Sequence, residues 1–110
     1  MDIFEMADLI SEQGELGERY LEFFTADTDT LSLGLYVLPA GDDDPQQPHT
    51  EDEIYYVVSG SGMLRVGDED RQVRAGMVVF VETAAPHKFH SITETLTLLV
   101  VFAPPRRSRA

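Results

Sequence analysis

Two periodicities divide the chain. Near the N-terminus, Ile3, Phe4, Ala7 and Ile10 recur at roughly helical spacing, which predicts a short helix over residues 2–12 with Asp2 available as its cap. Gly14 and Gly17 then break that pattern. From Tyr20 onward the apolar positions come in short β-branched or aromatic runs, and strands are expected near 19–25, 31–38, 53–58, 62–66, 71–74, 77–81, 87–92 and 95–102. Turn residues separate them: Ala26 to Asp29, Pro39 to Pro48, Ser59-Gly60, Gly67 to Asp70, Ala75-Gly76 and Glu82 to Pro86. Many short strands at this spacing imply a sandwich or barrel, here one closed or nearly closed double-sheet barrel. Residues 31–103 would form it, residues 1–30 would add a helix and strand packed on it, and 104–110 read as a flexible tail.

Composition narrows the class. The 110 residues have room for one domain, and 43% hydrophobic with 25% charged residues suits a packed globular protein. The longest apolar run, Leu98 to Ala103, is six residues, far below the ~20 of a membrane helix. The start, Met1-Asp2-Ile3-Phe4-Glu5, lacks the basic and apolar regions of a signal peptide, so a cytoplasmic protein is expected. With no cysteine, disulfides, thiolate nucleophiles and thiolate zinc sites are excluded.

Charge is uneven. Residues 1–55 hold fifteen acids against Arg19 alone, and the remainder five acids against seven bases, for a net of −12. Such a surface repels phosphates, so neither nucleic acid nor an anionic membrane is an expected partner. Lys88 is the one lysine, a bias that fits either a high-salt cytoplasm or a GC-rich genome.

All three histidines lie in two short stretches, each at a strand start: His49, and His87 with His90. Strand alternation gives Gln47, His49, Glu53 and Tyr55 one parity, so they can project into a common interior. If pairing brings His87 opposite, two imidazoles and a carboxylate would suit a divalent first-row metal. Spacing alone favours the plainer reading of surface histidines beside loops. His90 falls one register off from His87 and reads as structural or exposed. Asp42, Asp43 and Asp44 read as a solvated acidic loop at the barrel mouth, since no calcium-loop glycine or distal glutamate follows. Arg65 is expected to pair with nearby acids. Of the strand aromatics most are core, while Tyr36, Tyr55 and Phe89 are candidates to line a pocket.

The run from Gly41 to Gly62 resembles the first motif of the cupins: glycine, five residues, His-x-His, three or four residues, Glu, six residues, Gly. Gly41, His49, Glu53 and Gly60 match it, and the stretch Glu53-Ile54-Tyr55-Tyr56-Val57-Val58-Ser59-Gly60-Ser61-Gly62 is its most specific part. The second motif is matched by Gly76 and, at the right spacing, His87. Gln47 stands where the first histidine belongs, Glu82 and Ala84 replace the proline and glycine of the second motif, and Ser91 replaces its asparagine. The resemblance implies an all-β, double-stranded β-helix (jelly-roll-like) cupin barrel with a short N-terminal helix. It also implies a metal held by His49, Glu53 and His87, with Gln47 as a fourth ligand through its amide oxygen. An amide is a weaker donor than imidazole towards late transition metals, so affinity falls and harder metals gain.

The resemblance therefore implies one divalent transition metal (Fe, Mn, Zn or Ni) and a small oxygenated molecule as substrate, with dioxygenase-, isomerase- or cyclase-like chemistry. No catalytic residue beyond the ligands stands out. The alternative is a non-catalytic cupin that binds a small ligand with a weakened or absent metal site. Homodimerisation is expected, with the first helix and strand 19–25 packing across a twofold axis.

Overall fold

The computed structural model describes residues 1–45, 50–83 and 85–106. One helix, α1 (Met6–Leu16), precedes six strands: β1 (Tyr20–Thr25), β2 (Ser32–Leu38), β3 (Asp52–Val66), β4 (Glu69–Arg74), β5 (Val78–Val81) and β6 (His87–Ala103). All pairings are antiparallel, in the order β1-β2-β6-β3-β4 with β5 also on β3. This is the double-stranded β-helix architecture that the resemblance implies.

The helix starts later than its periodicity suggests. Phe4 packs on Phe23 and Phe24 of β1, with ring centroids 4.9 and 5.8 Å away, and residues 1–5 are not helical. Asp2 therefore caps nothing, and Glu5 occupies the cap position without a side-chain bond. The helix runs through Gly14 and stops at Gly17, whose φ of 78° is the left-handed conformation that ends helices. Gln13 ties that end down, its amide donating to the carbonyls of Glu18 and Arg19 at 2.8 and 3.1 Å.

One segment expected as a turn and one gap between expected strands lie inside long strands instead. Ser59-Gly60 falls within β3, and the stretch between 92 and 95 falls within β6, which β3 pairs from Asp52↔Ala103 to Val66↔His87. The register slips between Val57 and Met63, where bulges bend the pair around the barrel. Gly60 permits the bend: its φ is 95°, and a Cβ there would lie 2.0 Å from the Thr95 carbonyl oxygen.

Strand alternation fills the interior. Tyr36 and Leu38, Tyr55 and Val57, Val81, Phe89, and Leu96, Leu98, Val100 and Phe102 form one buried cluster. Ile54, Tyr56, Val78 and Phe80 take the opposite parity and are exposed, so Tyr56 and Phe80 are not core. The segment after β6 is not frayed from residue 104: Pro105 is buried, and the Arg106 amide donates to Ser32 Oγ at 2.9 Å. The remaining tail residues, 107–110, lie outside the described residues.

Gly60→Ala is expected to lower stability by roughly 2–4 kcal/mol, from the left-handed backbone penalty plus the clash with Thr95. Gly67→Ala, at a φ of 58° with open space around it, is expected to cost only about 1 kcal/mol. Urea denaturation of both variants measures the difference.

Candidate metal centre

His87 opens β6 and Glu53 lies near the start of β3, in different sections of the bent ladder. Curvature of the barrel brings their side chains together in its interior, with His87 Nε2 3.0 Å from Glu53 Oε1. The two side chains are 2% and 1% exposed, which excludes bulk water from the contact. The imidazole orientation is set from behind: Nδ1 lies 2.8 Å from the Ala85 carbonyl oxygen. A carbonyl only accepts, so Nδ1 carries a proton and the neutral ring presents the Nε2 lone pair to the interior. Tyr55 Oη lies 3.1 Å from that same nitrogen.

Glu53 makes the arrangement demanding. Neither of its buried oxygens has a hydrogen-bond partner among the described residues, because the close Nε2 approach is out of line for one. In the neutral tautomer a carboxylate oxygen and Nε2 thus approach to 3.0 Å away from bulk solvent, with the Tyr55 hydroxyl at the same nitrogen. A proton on Nε2 or a cation between them relieves the opposition. Burial of the ring opposes protonation, but the Glu53 contact, the Ala85 carbonyl and the charges of Glu53 and Asp44 outweigh it and raise the His87 pKa above the usual imidazole value.

Around this pair sit the three aromatic candidates. Tyr55 and Phe89 are fully buried and meet edge to face at 5.0 Å. The Tyr36 hydroxyl donates to Asp44 Oδ1 at 2.6 Å, while Asp44 Oδ2 accepts the Phe89 backbone N–H at 3.0 Å. Burial and the bond to Asp44 push the Tyr36 phenol well above the ordinary tyrosine range.

Asp44 departs from the acidic-loop expectation: it is 2% exposed and joins its loop to β2 and β6. Asp42 is paired with Arg19 at 2.8 Å, and only Asp43 of the three is an exposed carboxylate without such a role. Arg19 also reaches the Asp43 carbonyl at 2.7 Å, and the Gly41 amide donates to the Ile92 carbonyl at 2.9 Å. Residues 41–44 are therefore tied to Arg19, β2 and β6.

Gln47 and His49, two of the four expected ligands, lie outside the described residues. Among the described residues no three His, Asp or Glu side chains form a metal-sized cluster. Glu51, absent from the expected ligands, is 2% exposed, and its strand parity with His49 and Glu53 is the signal that marks it. Thr50 bonds its carboxylate. His90 points away from the centre, to Asp70 at 2.8 Å and Ser91 at 3.0 Å, and Arg65 pairs with Asp70 at 3.5 Å.

The family model described as Cupin domain matches residues 34–102. The chain belongs to the cupin family. Over 105 residues this cupin is 45% identical to an uncharacterised protein of Streptomyces coelicolor, covering 96% of this chain and 98% of the relative. A crystal structure from Thermus thermophilus superimposes with a TM-score of 0.73 at 26% identity, over 96% of this cupin and 99% of that chain. A Thermotoga maritima structure described as a predicted oxalate decarboxylase gives 0.67 at 21% identity, over 77% and 78%, a likeness of fold.

Two predictions follow from this geometry. Because the folded state holds the His87 proton more tightly than the unfolded chain does, the pair stabilises the metal-free cupin fully below about pH 6.5. That contribution is lost as pH rises through the raised value, so the melting temperature in chelator should fall across this window and flatten in His87→Gln. Asp44→Ala strips the acceptor from two buried donors and is expected to cost roughly 3 kcal/mol, against nearly nothing for Asp43→Ala. Denaturant titration of the two variants compares them.

Proposed function

We propose that this cupin holds one divalent first-row metal inside its barrel and acts there on a small oxygen-bearing molecule. The observation that carries the reading is the approach of His87 Nε2 and the Glu53 carboxylate to 3.0 Å, both side chains buried in the barrel interior. The donor set suits the group: one imidazole and one carboxylate from the described residues, with His49 matching the family motif and Gln47 standing at the position of its first histidine. Iron, manganese, zinc and nickel all accept such ligands. Bound there, the metal would supply Lewis acidity and open coordination positions for an oxygen-bearing substrate.

The chain's own residues prepare the site. The Ala85 carbonyl fixes the tautomer and aim of His87, the role that backing acceptors play for histidine ligands. Tyr55 and Phe89 wall the centre from water, and Asp44 anchors the loop that leads to His49. A second reading, a barrel that binds a small ligand without turnover, draws on Gln47 in place of an imidazole.

Elemental analysis of untagged protein, purified without chelator from metal-replete cells, is expected to find about one metal per chain. His87→Ala and His49→Ala should each lose it. A protein that stays metal-free after incubation with excess iron(II) and zinc overturns the metal reading in favour of the second.

A further inference from the structure

An antiparallel sheet with a core on one side normally turns polar residues to the other. The sheet formed by β1, β2, β6, β3 and β5 departs from that rule. Two apolar rows cross its outer face. One passes from Leu35 of β2 through Leu99 of β6 and Tyr56 of β3 to Val78 of β5. The other passes from Val101 of β6 through Ile54 to Phe80. Exposure climbs along both. Leu35 is fully buried at the end where α1 packs on β1 and β2, and Leu99 and Val101 are half-buried. Ile54, Tyr56, Phe80 and Val78 are 39%, 42%, 58% and 68% exposed. One helix covers one half of an apolar face and leaves the β3–β5 half bare.

The bare half is large for the surface of a single molecule. Its four side chains present on the order of 400 Å², a size that marks interaction sites. β5 is also an edge strand, paired with β3 alone among the described residues, and Val78–Val81 carries none of the charges that guard such edges. The apolar surface of α1 is likewise only partly covered. Leu9 is buried, while Ile10 and Leu16 stay 43% and 45% exposed.

We propose that the bare face of β3 and β5 is the docking site of a second copy of this chain, and that the partner's α1 occupies it. A twofold axis running along the strands, between two such sheets, exchanges their ends. Each helix then lies over its own β1–β2 half and against the partner's β3–β5 half. The expected contact of helix and strand 19–25 across the axis thereby becomes a contact of helix with the partner's β3 and β5. Because each copy supplies both a helix and a face, the buried area doubles towards the ~800 Å² per partner of a stable dimer. Charge favours this seating. Asp8, Glu12 and Glu15 of α1 belong to residues 1–55, with fifteen acids against one base. β5 and most of β3 belong to residues 56–110, with seven bases against five acids.

Light scattering on the purified chain is expected to give twice the 12.3 kDa chain mass at micromolar concentration. Phe80→Asp and Ile10→Lys, both at positions exposed in the single chain, should each give the single mass with an unchanged circular dichroism spectrum. An equimolar mixture of the two variants should return to the double mass. One of its two helix–sheet contacts is native, and the other opposes the introduced lysine and aspartate. Val78→Asp takes the place of Phe80→Asp should that variant lose its fold. A single mass for the wild-type protein overturns the proposal, as does a double mass that survives Phe80→Asp or Val78→Asp. Monomeric variants whose mixture stays monomeric also overturn it, by showing that Ile10 and the β5 face do not meet.

Discussion

Everything in the barrel hangs on the pairing of β3 with β6. These strands, Asp52–Val66 and His87–Ala103, run beside each other for nearly their whole lengths, and every other pairing except that of β1 with β2 uses one of them. A ladder that long must twist and bend to keep its apolar face inward. The slips in register between Val57 and Met63 supply the bend, and Gly60 makes room for it against Thr95. The bend folds the His87 section back over the Glu53 section. Without it, the two would stand at opposite ends of a flat ribbon.

The interior that results is unusually polar for so small a core. His87, Glu53, Glu51 and Asp44 are all buried, as are the hydroxyls of Tyr20 and Tyr36. Burying such groups is unfavourable unless each is answered by a partner. Asp44 is answered by Tyr36 and the Phe89 amide, and His87 by Ala85 and Tyr55. Among the described residues, Glu53 and Tyr20 keep oxygens without a hydrogen-bond partner. The apolar walls supplied by Tyr55, Phe89, Val100 and Phe102 surround that polarity with a low-dielectric medium, which strengthens whatever charge interaction forms there.

Individual residues show how far local pattern carries. Glu53 and Tyr55 are inward by strand parity, and both are buried; Arg65 pairs with an acid, and His90 faces away from His87. Parity also points at Glu51, which is buried beside Glu53. Parity does not place Asp44. Loop residues lack periodicity, and only the chain's route past Tyr36 and Phe89 shows that one carboxylate of three turns inward. The helix start failed because Phe4 gains more by packing on β1 than residues 2–5 gain from another turn.

The strand sequence, the inward-outward alternation and the family motif around Glu53 and His87 were determined by the amino-acid sequence alone, because they depend on near neighbours and spacing. Tertiary structure decided which turn-like segments became bends, that Asp44 is buried, and that Tyr20 enters the barrel above Gly34. Each of those outcomes depends on contacts between residues far apart in the chain, Gly60 with Thr95, Asp44 with Phe89 and Tyr20 with Phe102. No local periodicity encodes such contacts; closure of the barrel creates them.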